Sequence, residues 1–109
     1  NVKIDRRGPT SKVAQVISKI KLAKIKYLIC QYFGSECNLA TRVFLAESGL
    51  RPEAIGDHGS SLGIAQINRP HWGKVNCNLL EANCNLKLAK VIRDDSGWWP
   101  WSVYRNGTY

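Results

Sequence analysis

Four cysteines limit the folds open to this 109-residue chain more than any other feature of its sequence. They form two pairs with the same spacing, Cys30 with Cys37 and Cys77 with Cys84. An even number of cysteines in a small basic chain favours disulfide bonds and an oxidising compartment. Four cysteines can pair in three ways, and the sequence does not choose among them, although we favour the two local bonds.

A local bond between Cys30 and Cys37 restricts the helices around it. Seven residues of helix span about 10 Å, whereas the Cα atoms of a disulfide lie about 4.4–6.8 Å apart. The helix must therefore break between the two cysteines, and the Phe-Gly-Ser triplet at 33–35 provides a break. Zinc is the rival interpretation, with His58 and His71 as further ligands. The short paired spacing of structural zinc sites is absent, so we expect no metal.

Helical periodicity marks the first half of the chain. Apolar residues recur every three to four positions and predict one or two helices over 12–33, with Thr10 or Ser11 as the cap. A second helix is expected from about Asn38 to Ser48, followed by Gly49 as its C-terminal cap.

The second half alternates loops with shorter elements. Residues 49–63 are rich in glycine, proline and polar side chains and predict a loop. A short strand or the start of a helix is expected over 62–67. Asn85 is expected to cap a further helix over 86–94. Four tryptophans can stack on sugar rings or fill the core, and we expect at least two to pack; they are Trp72, Trp98, Trp99 and Trp101.

Positive charge is concentrated near the N terminus of a chain whose net charge is +8. Residues 1–29 hold eight basic side chains and one acidic side chain, a net of +7, so residues 30–109 contribute +1. A basic segment attracts an anionic wall, a membrane surface or nucleic acid, or it is a solvated helix face that aids solubility. No stretch reaches the roughly 18 apolar residues of a membrane span, and no signal peptide is recognisable.

Glu47 closes an apolar helical run, Val43–Ala46, and precedes the glycine-rich loop. Burial raises the pKa of a carboxyl, which then keeps its proton near neutral pH and can donate it to a leaving oxygen. Glycosidic cleavage needs such an acid and usually a second carboxylate. Glu53 and Asp57 are the candidates in the loop, and a turn-forming aspartate is the competing interpretation of Asp57.

Three elements in order resemble the lysozyme-like superfamily, in particular soluble lytic transglycosylases and goose-type lysozymes. They are AESGL at 46–50, GIAQIN at 63–68 and WSVYRNG at 101–107. In that family a helix ends in Glu-Ser, a Gly-Leu-Met-Gln-like segment follows, and a Tyr-Asn pair comes near the end of the domain. The resemblance covers residues 37–109.

The resemblance implies an α+β fold that is predominantly α-helical, with a short β-hairpin or turn region near residues 54–67. We expect one lysozyme-like catalytic domain over 1–109, composed of a basic arm at 1–10, a basic helical segment at 11–36 and a motif-bearing core at 37–109. We expect it to be monomeric and secreted or periplasmic, with its signal peptide already removed.

The resemblance also implies catalytic roles for two carboxylates. Glu47 corresponds to the general acid of the family. Asp57, in the segment GDHGSSLG at 56–63, is similar to the aspartate that helps to hold the hydrolytic water in goose-type lysozymes. Typical lytic transglycosylases lack this partner and use the N-acetyl group and C6 hydroxyl of the substrate, which yields an anhydro-sugar. Asp57 therefore favours hydrolysis.

The substrate-binding residues implied by the resemblance are Ser48, Gln66, Asn68, Tyr104 and Asn106. Ser48 would orient the acid or the sugar, and Tyr104 would form a hydrogen bond near Glu47. Two positions depart from the family pattern. Arg105 separates Tyr104 from Asn106, and Ala65 stands where methionine is common.

The function favoured is cleavage of the β-1,4 bond between N-acetylmuramic acid and N-acetylglucosamine in peptidoglycan, without a cofactor. Non-hydrolytic transglycosylation at the same bond is the alternative, and chitin oligomers stay open as substrates. Two other classes compete: a glycan-binding protein without activity, and a cationic protein that binds membranes or nucleic acid through residues 1–29. Glu47 in apolar surroundings argues against a pure binder, and we expect peptidoglycan rather than nucleic acid as the partner.

Overall fold

The computed structural model describes residues 11–109, so the predicted basic arm at 1–10 lies outside the described residues. The helices are α1 (Lys12–Phe33), α2 (Cys37–Ser48), α3 (Ala82–Ser96) and α4 (Ser102–Arg105). The strands are β1 (Ile55–Gly56), β2 (Ser61–Leu62) and β3 (Ile67–Asn68). The predominantly helical α+β class predicted from the sequence is confirmed.

A single helix, α1, covers the whole range predicted for one or two helices. It begins after Ser11, whose Oγ accepts a hydrogen bond of 3.1 Å from the backbone N–H of Ala14. It ends at Phe33 because Gly34 turns the backbone to a φ of 53°. The break lets Cys30 and Cys37 form a disulfide with Cα atoms 4.6 Å apart.

The second disulfide is also local, joining Cys77 to Cys84 with Cα atoms 5.8 Å apart. Cys84 lies in α3, which begins at Ala82. The cap of this helix is Glu81, whose carboxylate accepts hydrogen bonds from the N–H groups of Asn83 and Cys84. The expectation that Asn85 caps the helix is therefore wrong, because Asn85 is a fully buried residue inside α3.

The hydrophobic core lies between α1, α2, α3 and the C-terminal segment. Its centre is a group of aromatic rings with centroids 5.1–5.9 Å apart: Phe33, Phe44, Trp98 and Trp101. Trp98 and Trp101 are buried, which confirms that at least two tryptophans pack. Rings at these spacings gain stability beyond the apolar area that they bury.

An ion pair fastens the break after α1 to α3. The Arg93 guanidinium donates to both carboxylate oxygens of Glu36, at 2.6 and 3.0 Å, and the Trp98 indole N–H donates at 3.3 Å. These bonds, chiefly that from Arg93, lower the pKa of Glu36 below its usual range. The turn between the C-terminal end of α1 and the N-terminal end of α2 is thus held against α3 by a bidentate contact.

The sheet is small and antiparallel, in the order β1-β2-β3. Ile55 pairs with Leu62 across the first two strands, and Ser61 pairs with Asn68 across the second two. The hairpin expected near 54–67 is therefore extended by a third strand. No helix among residues 11–109 is long and apolar enough to cross a membrane.

Candidate active site

A cavity of about 110 Å³ lies where the end of α2, the sheet and the C-terminal segment meet. Its apolar wall includes Ile67, Ile92 and Trp101. The polar side chains that line it are Glu47, Asp57, Gln66, Asn68, His71, Ser102 and Arg105. Four of the predicted site residues therefore come together, although they belong to different parts of the chain.

Glu47 lies in the last turn of α2 and is half-buried. Its pKa is raised above the usual range, first by burial and second by the negative charge of Asp57. The positive charge of Arg105 acts in the opposite direction and lowers the pKa. Glu47 therefore keeps its proton to a higher pH than an exposed glutamate, which is the property required of a general acid.

Local backbone geometry stops α2 directly after Glu47 and Ser48. Gly49 adopts the left-handed conformation, with φ 66° and ψ 23°, and its N–H donates to Leu45 O at 2.9 Å. Glycine adopts this conformation without a steric penalty. The stop leaves the Glu47 side chain at the open end of the helix, where the loop can reach it.

Ser48 does not line the cavity but lies buried behind Glu47. Its Oγ is 2.6 Å from Ile64 O and 3.1 Å from Phe44 O. A hydroxyl has one proton, so the shorter bond ties the end of α2 to the segment between β2 and β3. Of the two roles expected for Ser48, orienting the acid is compatible with this position, whereas direct contact with a sugar is not.

Asp57 is held by a side chain of the sheet. Its Oδ2 accepts a hydrogen bond of 2.5 Å from Ser61 Oγ, which is also 2.6 Å from Oδ1 of Asn68. Because Ser61 has one proton to donate and an ionised Asp57 only accepts, the Asn68 amide group satisfies the network with its N–H₂ turned to Ser61. The carboxylate is then fixed by the buried Ser61.

The backbone at Asp57 is that of a tight turn between β1 and β2. Asp57 and His58 both have positive φ values, 50° and 56°. A turn-forming aspartate accepts a bond from a nearby backbone N–H, whereas the bond of this carboxylate within residues 11–109 comes from Ser61. The backbone is therefore that of a turn, and it is the side-chain bond from Ser61 that distinguishes Asp57 from a turn-forming aspartate.

Backbone carbonyls of the loop at 54–63 position the side chain of Gln66. Its Nε2 donates to Gly63 O at 3.0 Å and to Ala54 O at 3.2 Å. Its Oε1 approaches Gly56 so closely that a Cβ at that position would come within 2.3 Å. A side chain at position 56 would therefore displace the amide end of Gln66.

Asn85, for which the sequence predicted only a cap, holds the segment between β2 and β3. Its Oδ1 accepts from the N–H of Ala65 at 2.9 Å, and its Nδ2 donates to Leu62 O at 2.8 Å and to Leu79 O at 2.9 Å. The sequence feature that could have revealed this role is the spacing of Asn85 relative to the apolar residues of α3. Asn85 shares the buried face of α3 with Leu88, Ala89 and Ile92, so it is a polar residue on an apolar stripe.

Arg105 occupies the place expected for Tyr104. Its side chain lines the cavity, and its Nη1 donates to Trp99 O at 2.6 Å. Tyr104 instead stacks on Tyr109, with ring centroids 5.5 Å apart. Of the described residues at the cavity, none is Tyr104 or Asn106, and Asn106 is exposed. The sequence feature that could have revealed Arg105 is its position between Tyr104 and Asn106, because the family has adjacent tyrosine and asparagine there.

His71 is the second residue that sequence reasoning did not assign to the site. It lies in a 3-10 turn at Arg69–Lys74, and its Nδ1 is 2.9 Å from Lys74 Nζ. Burial, and to a smaller extent the charge of Lys74, lower the pKa of His71. A neutral imidazole therefore faces the cavity. The cysteines of the zinc interpretation are all in disulfides.

The family model described as "Lysozyme like domain" matches residues 31–103, about two thirds of the chain. No curated protein and no solved structure matches the chain. The matched range includes Glu47 and the whole sheet, and it excludes Arg105 and most of α1.

Proposed function

Because this chain belongs to the family of lysozyme-like domains, we propose that it cleaves the β-1,4 bond between N-acetylmuramic acid and N-acetylglucosamine in peptidoglycan. At the level of the family, the activity is that of a peptidoglycan-acting glycosidase or transglycosylase. The observation that carries the proposal is the pairing in one cavity of Glu47, whose pKa is raised by burial, with Asp57.

Glu47 is the general acid in this proposal. It gives its proton to the glycosidic oxygen as the bond to the anomeric carbon breaks through an oxocarbenium-like transition state. Water held by Asp57 then attacks the anomeric carbon and loses a proton to the carboxylate. Ser61 supports this role because its hydrogen bond aims one carboxylate oxygen and leaves the other for water.

Asp57 favours hydrolysis over transglycosylation. A transglycosylase needs no second carboxylate, since the C6 hydroxyl of the muramyl residue displaces the leaving group. The side-chain bond from Ser61 supports a carboxylate held for chemistry rather than for a turn. Transglycosylation by Glu47 alone is the second candidate.

Arg105 supports peptidoglycan rather than chitin as the substrate. Its guanidinium carries five N–H donors, of which one bonds Trp99 O. Arg105 lines a cavity whose substrate, if it contains muramic acid, carries a lactyl group, and an arginine N–H can donate to the carbonyl oxygen of that group. Chitin oligomers have no such group. Gln66 and Asn68 line the same cavity and supply neutral polar contacts to the sugars.

A wall substrate is consistent with the rest of the chain. Two disulfides and a peptidoglycan-directed fold support an extracytoplasmic location. We further propose that α1 and the motif-bearing core form one catalytic domain that acts as a monomer and needs no cofactor.

The test is mass spectrometry of the soluble fragments released from purified peptidoglycan. Hydrolysis gives reducing ends that have gained a water, and Asp57→Asn then lowers their yield about tenfold or more. Anhydro-muramyl ends, one water lighter, would contradict the role of Asp57 and support transglycosylation. No fragments from a sample whose circular dichroism shows it to be folded would overturn both forms of the proposal.

A further inference from the structure

The N-terminal part of α1 exposes apolar side chains that the rest of the described chain does not cover. We call residues 12–27 the exposed segment. Val13 is 71% exposed and Tyr27 is 65% exposed, and the other large apolar residues with at least 48% exposure here are Val16, Ile17 and Ile20. Ile20 and Tyr27 also line one shallow depression together with Ala23 and Leu28. Contiguous apolar surface of this kind marks an interaction site.

The exposed apolar residues lie on the side of α1 opposite to the core. The core-facing residues are Ile25, Ile29 and Phe33, which follow one another at intervals of four. Val16 and Ile25 are nine residues apart, which is about 180° around a helix at 100° per residue. The helix therefore has two apolar faces, and packing against α2 and α3 covers only one of them.

The charge on this part of the helix has one sign. The exposed segment carries Lys12, Lys19, Lys21, Lys24 and Lys26. The sequence has no acidic residue between Asp5 and Glu36. None of the ion pairs formed among residues 11–109 involves these five lysines. The apolar face is thus accompanied by ammonium groups that form no ion pair with the carboxylates of residues 11–109.

We propose that the exposed segment binds the surface of an anionic lipid bilayer. Its apolar side chains enter the boundary between headgroups and acyl chains, and its lysines contact lipid phosphates. The segment lies on the bilayer and does not cross it, since it is neither long nor apolar enough for a span. The exposed segment precedes residue 31, where the family match begins, so the match does not account for it.

Two other occupants fit these observations less well. A second copy of the chain would cover the apolar face but bring five lysines against five lysines, which is unfavourable. A soluble polyanion would neutralise the lysines but leave Val13, Ile17 and Ile20 in water. An anionic bilayer is the partner that satisfies both the apolar face and the charge.

The experiment is co-sedimentation of the full chain with vesicles of phosphatidylcholine alone or mixed with phosphatidylglycerol. We expect binding to the mixed vesicles and at least about tenfold weaker binding to phosphatidylcholine. The double variant Ile17→Ser/Ile20→Ser should bind the mixed vesicles about tenfold less than the parent, because it removes apolar groups that enter the lipid. The matched control is Val91→Ser, a residue that is 52% exposed on α3, and it should bind like the parent.

Three outcomes would overturn the proposal. One is absence of binding to either vesicle. Another is that the Ile17→Ser/Ile20→Ser variant binds both inorganic polyphosphate and mixed vesicles as tightly as the parent does. That result would mean that charge alone attracts the segment to the vesicles. The third is lipid-free dimerisation, measured by sedimentation, that this variant abolishes. Unchanged thermal unfolding of the variant ensures that a loss of binding is not a loss of fold.

Discussion

The cavity and the exposed segment of α1 both combine charges with apolar side chains, but they do so in opposite ways. In the cavity, the charges of Asp57 and Arg105 both act on Glu47, beside an apolar wall. On α1, five lysines are exposed to solvent, and they form no ion pair with the carboxylates of residues 11–109. The cavity changes the protonation of one carboxyl, whereas the exposed helix leaves each ammonium group hydrated.

This difference shows that the cavity can catalyse a reaction, whereas the exposed segment of α1 can only bind a partner. A group whose pKa is shifted needs burial and a nearby charge, and the cavity supplies both. A surface whose charges all have the same sign gains affinity from the number of those charges and from its area. No single residue dominates that affinity. Changes in the cavity should therefore have large effects at single positions, and changes on α1 should have small ones.

The largest expected effect is that of Glu47→Gln. Loss of the proton donor should lower kcat on peptidoglycan about a thousandfold, because general acid catalysis contributes about 10²–10⁴. The matched control is Glu53→Gln, an exposed carboxyl of the neighbouring loop that does not line the cavity, which should keep full activity. Near-normal turnover by a folded Glu47→Gln protein would remove Glu47 from the mechanism.

A smaller effect is expected on stability from Asn85→Ala. The change leaves the buried N–H of Ala65 and the carbonyls of Leu62 and Leu79 without their partner, and it should lower the free energy of unfolding by about 2–3 kcal/mol. Ile17→Ala, on the exposed segment, should change it by less than about 0.5 kcal/mol. Urea titration followed by circular dichroism measures both. Equal losses would mean that the exposed face is packed in solution.

The smallest expected effects are opposite shifts in the pH dependence of kcat. Glu47 must be protonated, so activity falls as the pH rises through its pKa. Asp57 raises that pKa, so Asp57→Asn should move the fall in activity to lower pH; Arg105 lowers the pKa, so Arg105→Gln should move it to higher pH. Shifts of the same sign in both variants would contradict the electrostatic arrangement of the cavity. Lys19→Gln on α1 should leave the profile unchanged.

Local elements were predictable because their signals are local. The periodicity of α1, the stop at Gly34 and the cap at Gly49 each depend on residues within one or two turns of the chain. The start of α2 at Cys37 is one residue from the position predicted. Glu47 stood out for the same reason, as a carboxyl at the end of an apolar run.

The contacts of the cavity were less predictable because they join distant positions. Asn85 was assigned to a cap because asparagine caps helices, yet it bonds residues six to twenty-three positions away. The place of Tyr104 was taken by Arg105, since the short α4 directs one side chain to the cavity and turns the other toward Tyr109. Single-residue steps along a helix rotate a side chain by about 100°, so one inserted residue changes which side chain reaches the site.

The sequence by itself determined the fold class, the break between Cys30 and Cys37, and the carboxyl at the end of α2. The fold class came from the resemblance of three motifs to lysozyme-like domains, whereas the break and the carboxyl follow from spacing and composition, which act over a few residues and need no partner. Only the tertiary structure decided that Ser61 holds Asp57, that Arg105 opposes the effect of burial on Glu47, and that α1 keeps a second apolar face uncovered. Burial, electrostatic shifts and long-range hydrogen bonds depend on which segments meet in space, and no local pattern contains that information.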